Sequence, residues 1–274
     1  MADSSKFAGG LADGLVRLRE AEKHGETTDY QGQEASGTSI FDPVLTELVY
    51  RWFSPPDALV LDPFAGGSVR GIVAAMLGRH YLGIDLSERQ IAANEAQAKE
   101  ICQRFSAMPA WTVGDARDIG TLANGSYDLI FSCPPYADLE VYSDDPRDIS
   151  TLDYPAFLAA YREIIAACVG LLKEDRFACF VVGEVRDSKG FYRGFVPDTI
   201  RAFEDAGAWL YNEAILVTAV GSLPIRVGKQ FSSGRKLGKT HQNVLVFVKG
   251  DPKRATDACG PVDVTVPDEL DMES

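Results

Sequence analysis

The chain has 274 residues, of which 46% are hydrophobic and 24% charged, a length that buries one full core and a composition ordinary for a globular protein, with no apolar run read as near bilayer-spanning length. Five scattered cysteines (Cys102, Cys133, Cys168, Cys179, Cys259), never paired as CxxC, and only three histidines (His24, His80, His241) argue against a disulfide framework or a metal centre. The formal net charge is −13, yet residues 221–250 carry six Lys and Arg and no acid, a basic island in an otherwise acidic protein.

In chain order, residues 1–37 are rich in Gly, Ser, Asp and Glu and are expected to form a flexible acidic arm. The start Met1-Ala2-Asp3-Ser4-Ser5-Lys6 lacks the basic and apolar stretches of a secretory signal, so a cytoplasmic location is the default expectation. Order is expected from residue 38. Asp42 followed by Pro43 reads as a helix cap and first turn, and Leu45, Leu48, Val49 and Trp52 give that helix an apolar stripe. Short apolar runs at 58–61, 81–84, 111–113, 127–131, 177–182, 209–217 and 244–248 read as strands. Longer amphipathic runs at 68–77, 87–105, 154–172 and 196–206 read as helices. This alternation predicts an α/β domain over 38–250, with a doubly wound, mostly parallel, seven-stranded Rossmann-like sheet. No helical pattern is read between the last two strands, so they are expected to form an antiparallel edge hairpin spanning the basic 221–250. The remaining residues, 251–274, are expected to be a flexible acidic tail.

Four strand ends carry chemistry. The first runs into Asp62-Pro63-Phe64-Ala65-Gly66-Gly67-Ser68, a turn opening a helix, where glycines let a ligand approach the backbone and free N–H groups face an anion. The second ends at Asp85, nineteen residues after Gly66, where a carboxylate can accept from ribose hydroxyls; the third ends at Asp115, an acceptor for an adenine amino group. Gly66, Ser68 and Gly71 supply only the first and last glycines of a dinucleotide fingerprint, which disfavours a pyrophosphate ligand. The fourth strand ends in Cys133-Pro134-Pro135-Tyr136. Two prolines without N–H donors, followed by an aromatic ring, suit an amino group on a flat ring.

With those residues in place, the chain resembles the S-adenosylmethionine-dependent DNA amino-methyltransferases, the N6-adenine/N4-cytosine group, and in particular their phage-type members. The likeness runs from Phe41-Asp42-Pro43 to His241-Gln242-Asn243. It implies that Phe41, Asp42, Asp62, Phe64, Ala65, Gly66, Ser68, Asp85 and Asp115 bind S-adenosylmethionine. It implies also that Cys133, Pro134, Pro135 and Tyr136 form the catalytic turn, Cys133 standing where relatives usually carry Asp, Asn or Ser. The activity it implies is methyl transfer to the exocyclic amine of a flipped-out adenine or cytosine in double-stranded DNA, with Tyr136 stacked on the base and no metal. Arg226, Lys229, Arg235, Lys236 and Lys239 then become the phosphate-facing surface. Arg147, Arg186, Lys189 and Arg193 are a weaker candidate for its opposite side. Adenine against cytosine, the recognised site, a restriction-modification partner and a homodimer stay open. So do an RNA or protein amino-methyltransferase of the same chemistry and a cofactor-retaining DNA-binding module without catalysis.

Overall fold

The computed structural model describes residues 41–136, 142–217 and 223–262, with the side chains of 223–226 and 229 outside that description. The arm at 1–37 and the end of the acidic tail, 263–274, therefore lie outside the described residues.

Alternating strands and helices require a parallel sheet whose crossovers cover both faces. The elements are α1 (Pro43–Phe53), β1 (Leu59–Asp62), α2 (Val69–Met76), β2 (His80–Asp85), α3 (Glu88–Ile101), β3 (Ala110–Val113), α4 (Ile119–Leu122) and β4 (Tyr127–Ser132). They continue with α5 (Tyr154–Leu171), β5 (Leu172–Val182), α6 (Phe195–Asp205), β6 (Trp209–Val217), α7 (Leu223–Gly234), β7 (His241–Lys249) and α8 (Pro252–Cys259). The seven strands form one sheet in the order β3-β2-β1-β4-β5-β7-β6. Strands β1 to β5 are parallel and β7 is antiparallel to both neighbours, so the expected α/β class and antiparallel edge pair are both found.

Every residue of β4 is buried. Because side chains alternate across a strand, Ile130, Phe180 and Val182 pack with Tyr161 and Ile164 of α5 on one face. Leu129, Phe131, Cys179 and Val181 pack with Tyr50 of α1 and Val73 of α2 on the other. Helix α5 corrects one expectation: its 18 residues, with mean hydropathy 1.2, are long and apolar enough to cross a bilayer by length and composition. Here Phe157, Tyr161, Ile164, Ile165, Cys168 and Val169 are core residues, which explains the apolarity by packing against the sheet.

Two further expectations are corrected. The basic 221–250 is not a simple hairpin, because α7 lies between β6 and β7. Gly228 and Gly234 interrupt the helical pattern, but Val227 and Phe231 keep an i, i+4 relation, and one interior glycine costs a helix only about 1 kcal/mol. Nor is 251–274 entirely tail: α8 buries Ala255 and Cys259, and Asp251 caps it by accepting from the Arg254 N–H at 2.8 Å. Asp251-Pro252 is the same cap-and-proline signal as Asp42-Pro43, masked by the acidic composition around it.

Candidate active site

The crevice lies at the carboxyl ends of β1 and β4, where the crossovers leave in opposite directions along the sheet, the place where open α/β sheets bind ligands. Its floor is the 62–68 turn. Gly66 sits at φ 51°, a left-handed conformation that glycine adopts without a Cβ penalty. The turn is pinned from three sides. The Ala65 N–H donates to the Ile84 carbonyl at 2.9 Å, the Gly66 N–H to Asp85 Oδ2 at 2.8 Å, and Asn94 Nδ2 donates to the Gly66 carbonyl at 2.7 Å. Arg70, one turn into α2, reaches back and donates from Nη2 to the carbonyls of Phe64 and Ala65. Ser68 holds the cap position of α2 but its hydroxyl donates to Gln97 Oε1, so no side chain caps the first turn. A Cβ built on Gly66 or Gly67 meets nothing within 4 Å, so the space over the turn is open. Uncapped N–H groups beneath open space suit a carboxylate or another small anion.

Asp62, expected to touch a ligand, is completely buried. Its carboxylate accepts from Arg70 Nε and Ser132 Oγ at 2.6 Å, Tyr81 Oη at 2.7 Å and the Phe64 N–H at 3.1 Å. It therefore positions the turn and ties the end of β1 to the end of β4 instead of facing the crevice. Burial alone lowers the Arg70 pKa, and Asp62 outweighs it, holding the guanidinium above the ordinary arginine value. Burial and the nearby Asp62 push the Tyr81 phenol well above its usual range.

Asp85 stands half-buried at the end of β2, with Oδ2 on the Gly66 N–H and Oδ1 on the Ser87 N–H. Desolvation raises its pKa despite those two bonds. Asp115 is more occupied than the sequence suggested. Arg117 Nε and Nη2 grip it as a fork, with Nη2 at 2.6 Å from Oδ2, and Nη2 also reaches the Arg147 carbonyl. Burial raises the Asp115 pKa, but the bonds from Arg117 outweigh it and leave the carboxyl below its usual value.

The Cys133–Tyr136 turn follows β4 directly, with Pro134 buried and Cys133, Pro135 and Tyr136 half-buried. The Tyr136 ring, expected to stack on the base, is held in place. The ring packs edge-on to Phe195 with centroids 6.2 Å apart, and its hydroxyl accepts a short hydrogen bond from Gln242 Nε2 on β7. Cys133 Sγ lies 3.8 Å from the same hydroxyl. Desolvation, then Cys133, push the Tyr136 phenol upward, so it stays neutral in any ordinary buffer.

The remaining candidates divide. Asp42 spends its carboxylate capping α1 through the Val44 and Leu45 N–H groups, so it acts on helix position. Phe41 lies beneath the Arg70 guanidinium at 4.5 Å and edge-on to Phe131, joining the start of α1 to the crevice wall. Phe64 leans on Tyr161. Of the basic island, the side chains of Arg226 and Lys229 lie outside the described residues. Arg235 is exposed just beyond α7, whereas Lys236 and Lys239 are half-buried, and desolvation lowers the Lys239 pKa against the opposing pull of Glu184. The second patch adjoins the first instead of opposing it, since a Cβ on Gly190 would meet the Lys236 ammonium at 2.5 Å.

Sequence reasoning passed over Arg70, Asn94, Arg117, Ser132 and Gln242. Two of them left a signal, because Asn94 sits in the Ile91–Ala98 buried stripe of α3 and Arg70 in the buried stripe of α2. A polar residue in a buried stripe needs a partner.

Sheet order, crossover placement and the glycine turn define a Rossmann-like methyltransferase fold. A methyltransferase from Pyrococcus furiosus aligns with a TM-score of 0.51 at 12% identity, over 88% of this chain and 100% of that one. Magnesium protoporphyrin IX methyltransferase from Synechocystis PCC 6803, solved with bound SAH, aligns at 0.50 and 12% identity over 78% and 90%. Residues 37–97, which hold α1, the turn and Asp85, match the DNA methylase family model. Type II methyltransferase M.HinfI of Haemophilus influenzae is 36% identical over 73 residues, 27% of this chain and 20% of that protein. The resemblance read from the sequence is thus borne out over its cofactor-loop half, and the alignments span 20% and 30% of the two curated relatives' lengths.

Proposed function

We propose that this protein is an S-adenosylmethionine-dependent DNA methyltransferase acting on the exocyclic amine of adenine (N6) or cytosine (N4). The observation that carries the reading is the Asp62–Ser132 hydrogen bond of 2.6 Å, which couples the glycine turn to the proline turn so that a donor on one adjoins an acceptor on the other.

The residues fit the donor. The uncapped turn at Ser68 can take its carboxylate, Asp85 its ribose hydroxyls, and Asp115, kept ionised by Arg117, its adenine amine. Bound there, S-adenosylmethionine supplies an electrophilic methyl on a positively charged sulfur. The acceptor amine is a poor nucleophile because its lone pair is delocalised into the ring. The Pro134 carbonyl, with Cys133 as a weaker acceptor, takes hydrogen bonds from the amine. This localises the lone pair and stabilises the positive charge that develops on nitrogen. The nitrogen that accepts the methyl group would release its surplus proton to solvent. Two turns held rigidly together supply alignment, which accounts for much of the acceleration such a reaction needs. Cys133 acts as a small acceptor in place of an oxygen side chain.

The test is transfer of labelled methyl to duplex DNA, tRNA and bulk protein in parallel. Label on DNA alone supports the reading. Label on tRNA or protein alone replaces it with another amino-methyltransferase, and binding of both cofactor and DNA without transfer leaves a non-catalytic module.

A further inference from the structure

The segment that follows β5 plays no part in the methyl transfer described above, yet hydrogen bonds cross-link it at its base and at its tip. It leaves the sheet at Gly183, whose Cβ position is 3.8 Å from the Tyr136 ring, so it rises beside the proline turn. Glu184 locks its base by accepting from the N–H groups of Gly194 and Val196. Arg186 and Tyr192 pair across it, and the Arg193 N–H donates to the Val185 carbonyl at 2.9 Å. The Arg186 guanidinium lies 3.8 Å above the Tyr192 ring and donates to the Gly190 carbonyl. At the tip, the Asp187 N–H donates to the Phe191 carbonyl and the Phe191 N–H to Asp187 Oδ1, both at 2.8 Å. All this order presents to solvent an aromatic side chain: Phe191 is 70% exposed.

A rigid loop that holds a phenyl ring in water forgoes the gain of burying it, so the ring's surroundings indicate what covers it. Those surroundings are cationic. Arg186 and Lys189 lie on the same turn, Lys236 packs against Gly190, and Arg193 lies over Tyr154 at the base. The one acid of the turn, Asp187, is engaged by the Phe191 backbone. An apolar wedge ringed by cations matches a base stack lined by phosphates.

We propose that Phe191 is a wedge that enters a DNA duplex between base pairs, while Arg186, Lys189 and Lys236 hold the flanking phosphates. The wedge would fill the stack vacated when the target base turns outward towards the Cys133–Tyr136 turn. This rests on the reading of the protein as a DNA methyltransferase and adds the element that opens the duplex.

The experiment uses the full chain and two 30-base-pair probes of one random sequence, one fully paired and one with a single central abasic site, each titrated at low salt. An intercalating side chain gains most where a base is already missing. The wild type is expected to bind the abasic probe about tenfold more tightly than the paired one. Phe191→Ala is expected to bind both alike, with its affinity for the paired probe and its salt dependence little changed, and Phe191→Leu to keep part of the preference. Lys189→Ala should do the reverse, weakening both probes equally. Wild-type preference retained in Phe191→Ala, or no preference in the wild type, overturns the wedge while leaving methylation of DNA standing. A wild type that neither binds nor methylates duplex DNA overturns the DNA reading, and the wedge with it.

Discussion

Replacing Asp62 by alanine removes the carboxylate that accepts from Arg70, Tyr81, Ser132 and the Phe64 N–H. Arg70 is 4% exposed, so the variant keeps a buried charge without its counter-ion. Breaking a buried pair in this way costs about 3–5 kcal/mol. In a domain of this size each kcal/mol is worth about 2–4 °C of melting temperature, so the expected fall is on the order of 10 °C. Stranding the two hydroxyls pushes towards the larger end. The informative comparison is the cycle through Arg70→Met and the double variant. If charge burial dominates, removing both partners relieves it, and the double variant should be destabilised by no more than about 3–5 kcal/mol, well below the sum of the single changes. Thermal unfolding followed by far-ultraviolet circular dichroism, with urea titration at one temperature, measures all four corners. Additive losses would show that Asp62 and Arg70 act independently and that the two turns are not held by one buried network.

Other residues obey the same electrostatics and packing. Asp128 is gripped by Lys173 and Arg176; burial raises its pKa, but those cations and the Leu59 N–H leave it below the usual carboxylate value. Its stabilising effect is therefore present above the unfolded-state pKa of about 4 and lost as pH falls through the folded value. The melting-temperature gap between wild type and Asp128→Asn should be widest near neutrality and close in acid. Gly83→Ala places a Cβ 2.7 Å from the Ala65 Cβ and 2.8 Å from the Trp111 ring. Calorimetry should show it destabilised by about 1–3 kcal/mol, and S-adenosylmethionine titration should show weaker binding because the turn is displaced. Cys133→Ser should keep much of the methylation rate and Pro134→Ala lose most of it. A dead Cys133→Ser enzyme together with a trapped wild-type adduct on a fluorinated pyrimidine would instead make the thiol a nucleophile. Neutralising Arg235 or Lys236 should lower the slope of log binding constant against log salt by about one for each phosphate that is no longer neutralised, without altering the methylated base.

The strand ends were legible because the chemistry there is local: a glycine at positive φ, an acid at the end of a strand and a proline pair are each readable within a few residues. The cap at Asp42 and the short apolar runs that form β4 and β5 followed from the same short-range rules. What was not legible depends on distance along the chain. Asp62 looked like a ligand acid until Arg70, Tyr81 and Ser132, up to 70 positions away, converged on it. Tyr136 looked free until Gln242, 106 positions on, met its hydroxyl. Helix α7 was hidden by glycines whose cost is offset by the apolar face they interrupt, and α8 by the acidic residues around it. Composition misled where a single capping pair decided the structure.

Everything proposed for the crevice turns on one transfer, that of a methyl group to an exocyclic nitrogen of a DNA base. Duplex DNA incubated with the protein and deuteromethyl-labelled S-adenosylmethionine, then digested to nucleosides and separated by mass spectrometry, tests it directly. The expected product is labelled N6-methyladenine or N4-methylcytosine, strongly reduced in Pro134→Ala. Label on C5-methylcytosine, or DNA without label while the protein binds both the cofactor and the duplex, would contradict it.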